Sequence, residues 1–108
     1  MSIFEHLARL RKFEKLHLPF LATIEDFDIV SVIGLHQHHG KPLLLKQLYL
    51  EGISSVATIT RRLGRLRAAG MVLAVPHASD RRNMHLTLSP EVHKLFVRYG
   101  HLLDAVAD

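Results

Sequence analysis

Residues 55–72, which read SVATITRRLGRLRAAGMV, decide the fold of this 108-residue chain. Apolar residues recur there at intervals of three and four, which is the spacing of a helix with one buried face. They are Val56, Ile59, Leu63 and Leu66. Ser54 or Ser55 is the predicted N-cap and Gly70 the predicted stop, so we expect a helix over residues 54–69.

A β-hairpin and a last helix are predicted downstream. Residues 71–75 are β-prone, and residues 83–88 alternate apolar with polar side chains, as a strand with one buried face does. Turn-forming residues between them predict a hairpin with its loop at residues 76–83. Residues 89–91, which read Ser-Pro-Glu, have the composition of a helix start, so the last helix begins there.

Three helices are predicted on the amino-terminal side. Residues 2–18 have helical spacing of apolar side chains and end before a proline. Thr23, followed three residues later by Asp26, resembles a capping box and opens a second helix. Its predicted buried stripe is Phe27, Val30, Ile33 and Gly34. A short helix over residues 44–50 follows, and Gly52 suits the tight turn after it.

This order of elements predicts a mainly α fold with a small β-hairpin wing, a winged helix-turn-helix flanked by terminal helices. We expect one domain over residues 1–108. It divides into an N-terminal helix at 1–18, a winged-helix core at 23–89 and a C-terminal helix at 90–107.

Composition excludes several classes of protein. With 48% apolar and 22% charged residues, the chain is too apolar for a disordered protein. It has no apolar run near the roughly 18 residues of a membrane span and no secretory signal, so we expect a soluble cytoplasmic protein. The absence of cysteine excludes disulfides and thiol chemistry. No catalytic motif is present, so we predict neither an enzyme nor a cofactor.

Positive charge is concentrated in residues 41–85, which carry eight basic side chains against two acidic ones. The whole chain has a net charge of only +4. A basic block in a neutral frame indicates an anionic partner for that block, although a solvated charged surface is the alternative.

The outward face of the helix over residues 54–69 suits the major groove of DNA. With Ile59 at the centre of the buried face, the outward and flanking residues are Ser54, Ala57, Thr58, Thr60, Arg61, Arg62, Arg65 and Ala68. Short side chains permit close approach, hydroxyls reach phosphates or base edges, and arginine forks onto guanine. The loop at 76–83 adds Arg81 and Arg82, with Asp80 beside them to orient an arginine.

These stretches resemble the MarR-type winged-helix transcription regulators, from about Phe27 to Glu91. The resemblance implies that Ser55, Thr58, Thr60 and Arg61 meet the major groove and that Arg81 or Arg82 makes the contact of the wing. Lys46, in the short helix, is predicted to add a phosphate contact. The complete predicted DNA-binding set is Ser54, Ser55, Thr58, Thr60, Arg61, Arg62, Arg65, Arg81, Arg82 and Lys46.

Eighteen residues follow Pro90, so we expect a short variant without the two-helix carboxy-terminal arm that is common in the family. A homodimer through the terminal helices is predicted, because the last helix carries more apolar residues than one small core needs. The alternative is that both helices only cover the core of a monomer. The alternative function is a winged-helix module that binds proteins and not DNA.

The nine histidines suggest two further hypotheses. His36 and His39 are spaced to share a cation, but two imidazoles are an incomplete metal site, so we predict no metal. His77 and His85 flank the wing and would gain charge near pH 6, which would strengthen contact with phosphate.

Overall fold

The structure, a computed structural model, describes residues 2–76 and 83–107, with side chains as far as residue 104. Its helices and strands follow the predicted order with one strand added. They are α1 (Ile3–His17), α2 (Ile24–His38), β1 (Leu43–Leu44), α3 (Leu45–Leu50), α4 (Val56–Ala68), β2 (Val72–Pro76), β3 (Met84–Leu88) and α5 (Pro90–Ala107). The mainly α class with a β-hairpin wing is confirmed. Within the described ranges, no helix is long and apolar enough to cross a membrane.

Three antiparallel strands form the sheet of the described residues, in the order β1-β3-β2. β2 and β3 are the predicted hairpin, in which Ala74 pairs with Leu86. β1 was not predicted, since Leu44 was assigned to the short helix. In the structure Leu43 pairs with Leu86 and Leu44 pairs with His85. A two-residue strand is too short for alternation to be visible, so only its pairing with β3 reveals it.

α3 and α4 form the helix-turn-helix. Gly52, in the turn, has a φ of 76°, which lies in the left-handed region that favours glycine, as predicted. Ser55 is the N-cap of α4, and Gly70, with a φ of 74°, follows the C-cap. The backbone N–H of Met71 then reaches back to the carbonyl of Leu66, which closes the last turn.

The core lies between α2, α4 and the sheet. Its buried members are Ile29, Val30, Ile33, Leu43, Leu48, Ile59, Leu63, Leu66, Val72, Leu86, Leu88 and Val92. At Gly34, a Cβ would lie 3.3 Å from Leu88 Cδ1, so glycine lets β3 approach α2 closely.

Two residues predicted for the core lie elsewhere. Val56 is 58% exposed because it is the first residue of α4, at the end of the helix that faces solvent. Phe27 is half-buried and packs edge-on against Phe96 of α5, with ring centroids 6.0 Å apart. The buried stripe of α2 therefore runs through Ile29 instead, and it also includes the carboxylate of Asp26.

The terminal helices pack against each other. The rings of Phe13 on α1 and Tyr99 on α5 are stacked, with centroids 5.6 Å apart. The Tyr99 hydroxyl donates to Glu14 Oε2 at 3.2 Å. Burial and the neighbouring carboxylate raise the pKa of Tyr99, so its hydroxyl keeps the proton that it donates. This contact orders α1 on α5 within one chain.

Candidate nucleic-acid interface

The amino-terminal end of α4 presents several hydroxyl groups. Ser55 and Thr60 are exposed, and Ser54 and Thr58 are half-buried. Ser55 Oγ accepts the backbone N–H of Thr58 at 3.1 Å and donates to Thr58 Oγ1 at 3.0 Å. Tyr49 Oη lies 3.0 Å from Thr60 Oγ1, which joins α3 to α4. The first N–H groups of the helix and its dipole make this end favourable for a phosphate or a base acceptor.

Exposed cationic side chains lie on both helices of the helix-turn-helix. Lys46 is exposed on α3, and Arg61 and Arg65 are exposed on α4. Arg61 and Arg65 are four residues apart, so they project from the same side of the helix. Arg67, which the sequence analysis did not place in the interface, is also exposed, near the carboxyl end of α4. The face that carries the hydroxyls therefore also carries positive charge.

Arg62 lies inside the protein, although the sequence placed it at the flank of the DNA-binding face. Arg62 is 8% exposed. Its Nε donates to Asp26 Oδ1 at 2.7 Å, and its Nη2 donates to Asp26 Oδ2. Two nitrogens of the guanidinium are thus held by one carboxylate, so Arg62 is not part of the exposed cationic surface.

Asp26 has a tertiary contact behind the candidate interface that the sequence did not reveal. Its predicted capping box with Thr23 is confirmed, and its carboxylate also accepts the N–H of Ala22 at 2.9 Å. Burial by itself raises the pKa of Asp26, but the hydrogen bonds from Arg62, Thr23 and Ala22 bring it below its ordinary 3.8. At neutral pH the contact is therefore an ion pair. No local pattern could have revealed it, because the two residues are 36 positions apart.

The tip of the wing lies outside the described residues. This holds for Arg81 and Arg82, and for His77 and Asp80 beside them, so their roles stay predictions. The described part of the hairpin ends where Pro76 pairs with Met84, and β2 packs beside α4. The strands on either side of residues 77–82 therefore belong to a sheet that is in contact with α4.

The histidines at the end of α2 make no metal site with other described residues. No group of three or more His, Cys, Asp or Glu side chains in those ranges could hold a metal ion. His36 Nε2 lies 3.8 Å from Glu51 Oε1, so this histidine faces the end of α3. The ring of His39 lies 5.5 Å from that of His38. His85 is half-buried on β3.

The chain is similar to solved structures, but it matches no family model and no curated protein. NadR in complex with 4-hydroxyphenylacetate is 25% identical, covers 100% of this chain and 77% of its own, and has a TM-score of 0.64. A mutant of MepR from S. aureus is 17% identical, with 97% and 74% coverage and a TM-score of 0.67.

A third similar structure contains nucleic acid. It is a mutant of MarR from E. coli complexed with operator DNA, 19% identical over 94% of this chain and 70% of its own, with a TM-score of 0.62. These similarities cover 94% to 100% of this chain, and so include its helix-turn-helix and three-stranded sheet. The chain therefore has the winged helix-turn-helix fold of the MarR-type transcription regulators.

Proposed function

We propose that this chain is a sequence-specific regulator of transcription that binds double-stranded DNA as a homodimer in the cytoplasm. The observation that carries the proposal is the exposed face of α4, where Ser55 and Thr60 precede or flank Arg61 and Arg65. The face belongs to the most basic segment of the chain. Hydroxyls at the positive end of a helix, with exposed arginines further along it, are groups that read base edges and hold phosphates.

Each part of the site has its own role in this proposal. α4 enters the major groove, where Arg61 forks onto guanine and the hydroxyls of Ser55 and Thr58 meet phosphates or base edges. Lys46 contacts the phosphate backbone from α3, and the loop at 76–83 contacts the adjacent minor groove or backbone. A dimer then reads an inverted repeat with half-sites about 34 Å apart. The role is recognition, and the proposal assigns no catalytic step.

A salt titration tests DNA binding directly. Fluorescence anisotropy with a random-sequence duplex of about 30 base pairs should give a log–log slope steeper than about −4, since each neutralised phosphate contributes about 0.9. Selection from a random pool then yields a preferred sequence. On that sequence, Arg61→Ala should weaken binding by about 1–3 kcal/mol because a bidentate base contact is lost.

Arg9 provides the matched control, because it is an exposed arginine on α1, away from the helix-turn-helix. Arg9→Ala should leave the preferred sequence and the salt slope unchanged. Equal affinity of Arg61→Ala and the unmodified protein would remove Arg61 from the interface. No binding at low salt would reject the DNA-binding function and favour a module that binds proteins.

The terminal helices support the dimer. Phe4 is 77% exposed on α1, next to Ile3 and near Leu7, and α5 exposes Val97 and Leu103. Since α1 and α5 already pack on each other through Phe13 and Tyr99, these side chains remain outside that contact. Exposed apolar side chains on two helices that pack together are available to bind another protein, and a protein that reads an inverted repeat needs a second copy of itself as partner.

Replacing Phe4 by aspartate is expected to convert the dimer into a monomer of 12.3 kDa. A symmetric interface loses the side chain twice, so the dissociation constant of the dimer should rise by roughly 100-fold or more. Light scattering coupled to gel filtration measures the mass. Leu50→Asp is the control, because Leu50 is 78% exposed but lies on α3. A dimer that survives Phe4→Asp would place the interface elsewhere.

A further inference from the structure

Two adjacent arginines of α4 have opposite environments. Arg61 is exposed, whereas Arg62 is buried and held at Nε and Nη2 by the carboxylate of Asp26. Successive residues of a helix differ by about 100° around its axis. A rotation of α4 by that angle, in one of the two directions, would bring Arg62 to the place that Arg61 now holds on the DNA-facing side. The ion pair distinguishes these two orientations.

The carboxylate that holds Arg62 is itself fixed. Asp26 is 1% exposed, and its Oδ2 accepts the backbone N–H groups of Ala22 at 2.9 Å and Thr23 at 3.1 Å. Its own N–H donates to Thr23 Oγ1 at 3.2 Å. The connection between α1 and α2 and the first turn of α2 therefore form one hydrogen-bonded unit. Arg62 joins the middle of α4 to this unit.

We infer that Asp26 is a positioning residue for DNA recognition, which sets the orientation of α4 through Arg62 and keeps that guanidinium away from the DNA. This inference rests on the proposed function. Hydrogen bonds to base edges require side chains within a few tenths of an ångström of their place, because such bonds weaken steeply with distance and angle. Attraction to phosphates falls off slowly with distance. A misplaced α4 therefore loses preference for one sequence before it loses affinity for DNA.

Arg62→Lys is the main test, because it retains the charge but cannot form the two-pronged contact. The preferred sequence from selection and a random duplex are titrated side by side at several salt concentrations, at a temperature where circular dichroism shows the variant folded. We expect the salt slope on the random duplex to stay as in the unmodified protein. The preference for the selected sequence should fall about tenfold, the equivalent of one well-made base contact.

Two more variants and one control separate the possible roles. Arg62→Gln should also keep the salt slope, whereas Arg65→Gln, which removes an exposed arginine of the same helix, should reduce it by about 0.9. Asp26→Asn frees Arg62 from its charged partner, so the slope on the random duplex should become steeper, by up to about 0.9, while the preference falls. Arg62→Lys carries the test if Arg62→Gln does not fold.

Three results would overturn the inference. An unchanged sequence preference in Arg62→Lys would leave the ion pair with a role in stability alone. A salt slope reduced by about 0.9 in Arg62→Gln would make Arg62 a phosphate contact. If the unmodified protein binds no DNA, the proposed function itself fails, and that result is seen before any variant is compared.

Discussion

Replacing Arg62 by alanine is expected to lower the free energy of unfolding by about 3–5 kcal/mol. The variant leaves the carboxylate of Asp26 buried without its cation, and Asp26 is 1% exposed. In the unmodified protein hydrogen bonds, that of Arg62 first among them, hold the pKa of Asp26 below its ordinary value, so the carboxylate is charged at neutral pH. Without Arg62, burial acts to raise that pKa, and the carboxylate loses its main stabilising partner. A buried charge without a partner costs more than the pair contributes. Urea denaturation followed by circular dichroism measures the loss.

The same helix provides the control for this prediction. Arg65→Ala removes an exposed guanidinium three residues further on, and it should change stability by less than about 0.5 kcal/mol. Adding Asp26→Asn to the Arg62→Ala variant should recover part of the loss, because the amide is neutral and its oxygen still accepts the N–H groups of Ala22 and Thr23. A loss below about 1 kcal/mol in Arg62→Ala would show that the pair is not a buried charge contact in solution.

Ile59→Ala is expected to cost about 2–5 kcal/mol of stability. Ile59 is fully buried, where α4 packs on the core beneath it. Truncation removes three methyl or methylene groups from the hydrophobic core. It leaves a cavity that the neighbouring side chains fill only in part. Because Ile59 lies on the buried face of α4, the loss acts on the helix that carries the candidate interface.

Val56→Ala is the control for this prediction, because Val56 is an exposed apolar residue of the same helix. Val56 belongs to the apolar spacing that predicts the buried face of α4, yet it is 58% exposed. Its truncation should change the free energy of unfolding by no more than about 0.5 kcal/mol, since little apolar surface returns to water. Urea denaturation of both variants compares them directly. Similar costs for Val56→Ala and Ile59→Ala would contradict the observed burial of these two positions.

Much of the candidate interface was predictable because its residues are local to one helix. Capping by Ser55, the turn at Gly52 and the outward projection of Arg61 and Arg65 all follow from spacing along the chain. The exception is Arg62, which lies 60° from the predicted centre of the buried face on a helical wheel, taken at about 100° per residue. A side chain at that angle can be buried or exposed to solvent. Which of the two occurs depends on the residues that the rest of the protein places beside it.

The sequence by itself determined the order of the helices, the start of α2, the limits of α4 to within two residues, and the position of the hairpin. These follow from signals within a few residues of one another, namely helical spacing, caps, glycines and alternation. Only the tertiary structure decided which arginine faces inward, that Leu43 and Leu44 pair as a strand, and that Val56 is exposed. The physical reason is distance along the chain. Burial and pairing depend on partners tens of residues away, such as Asp26 for Arg62, and packing alone brings them together.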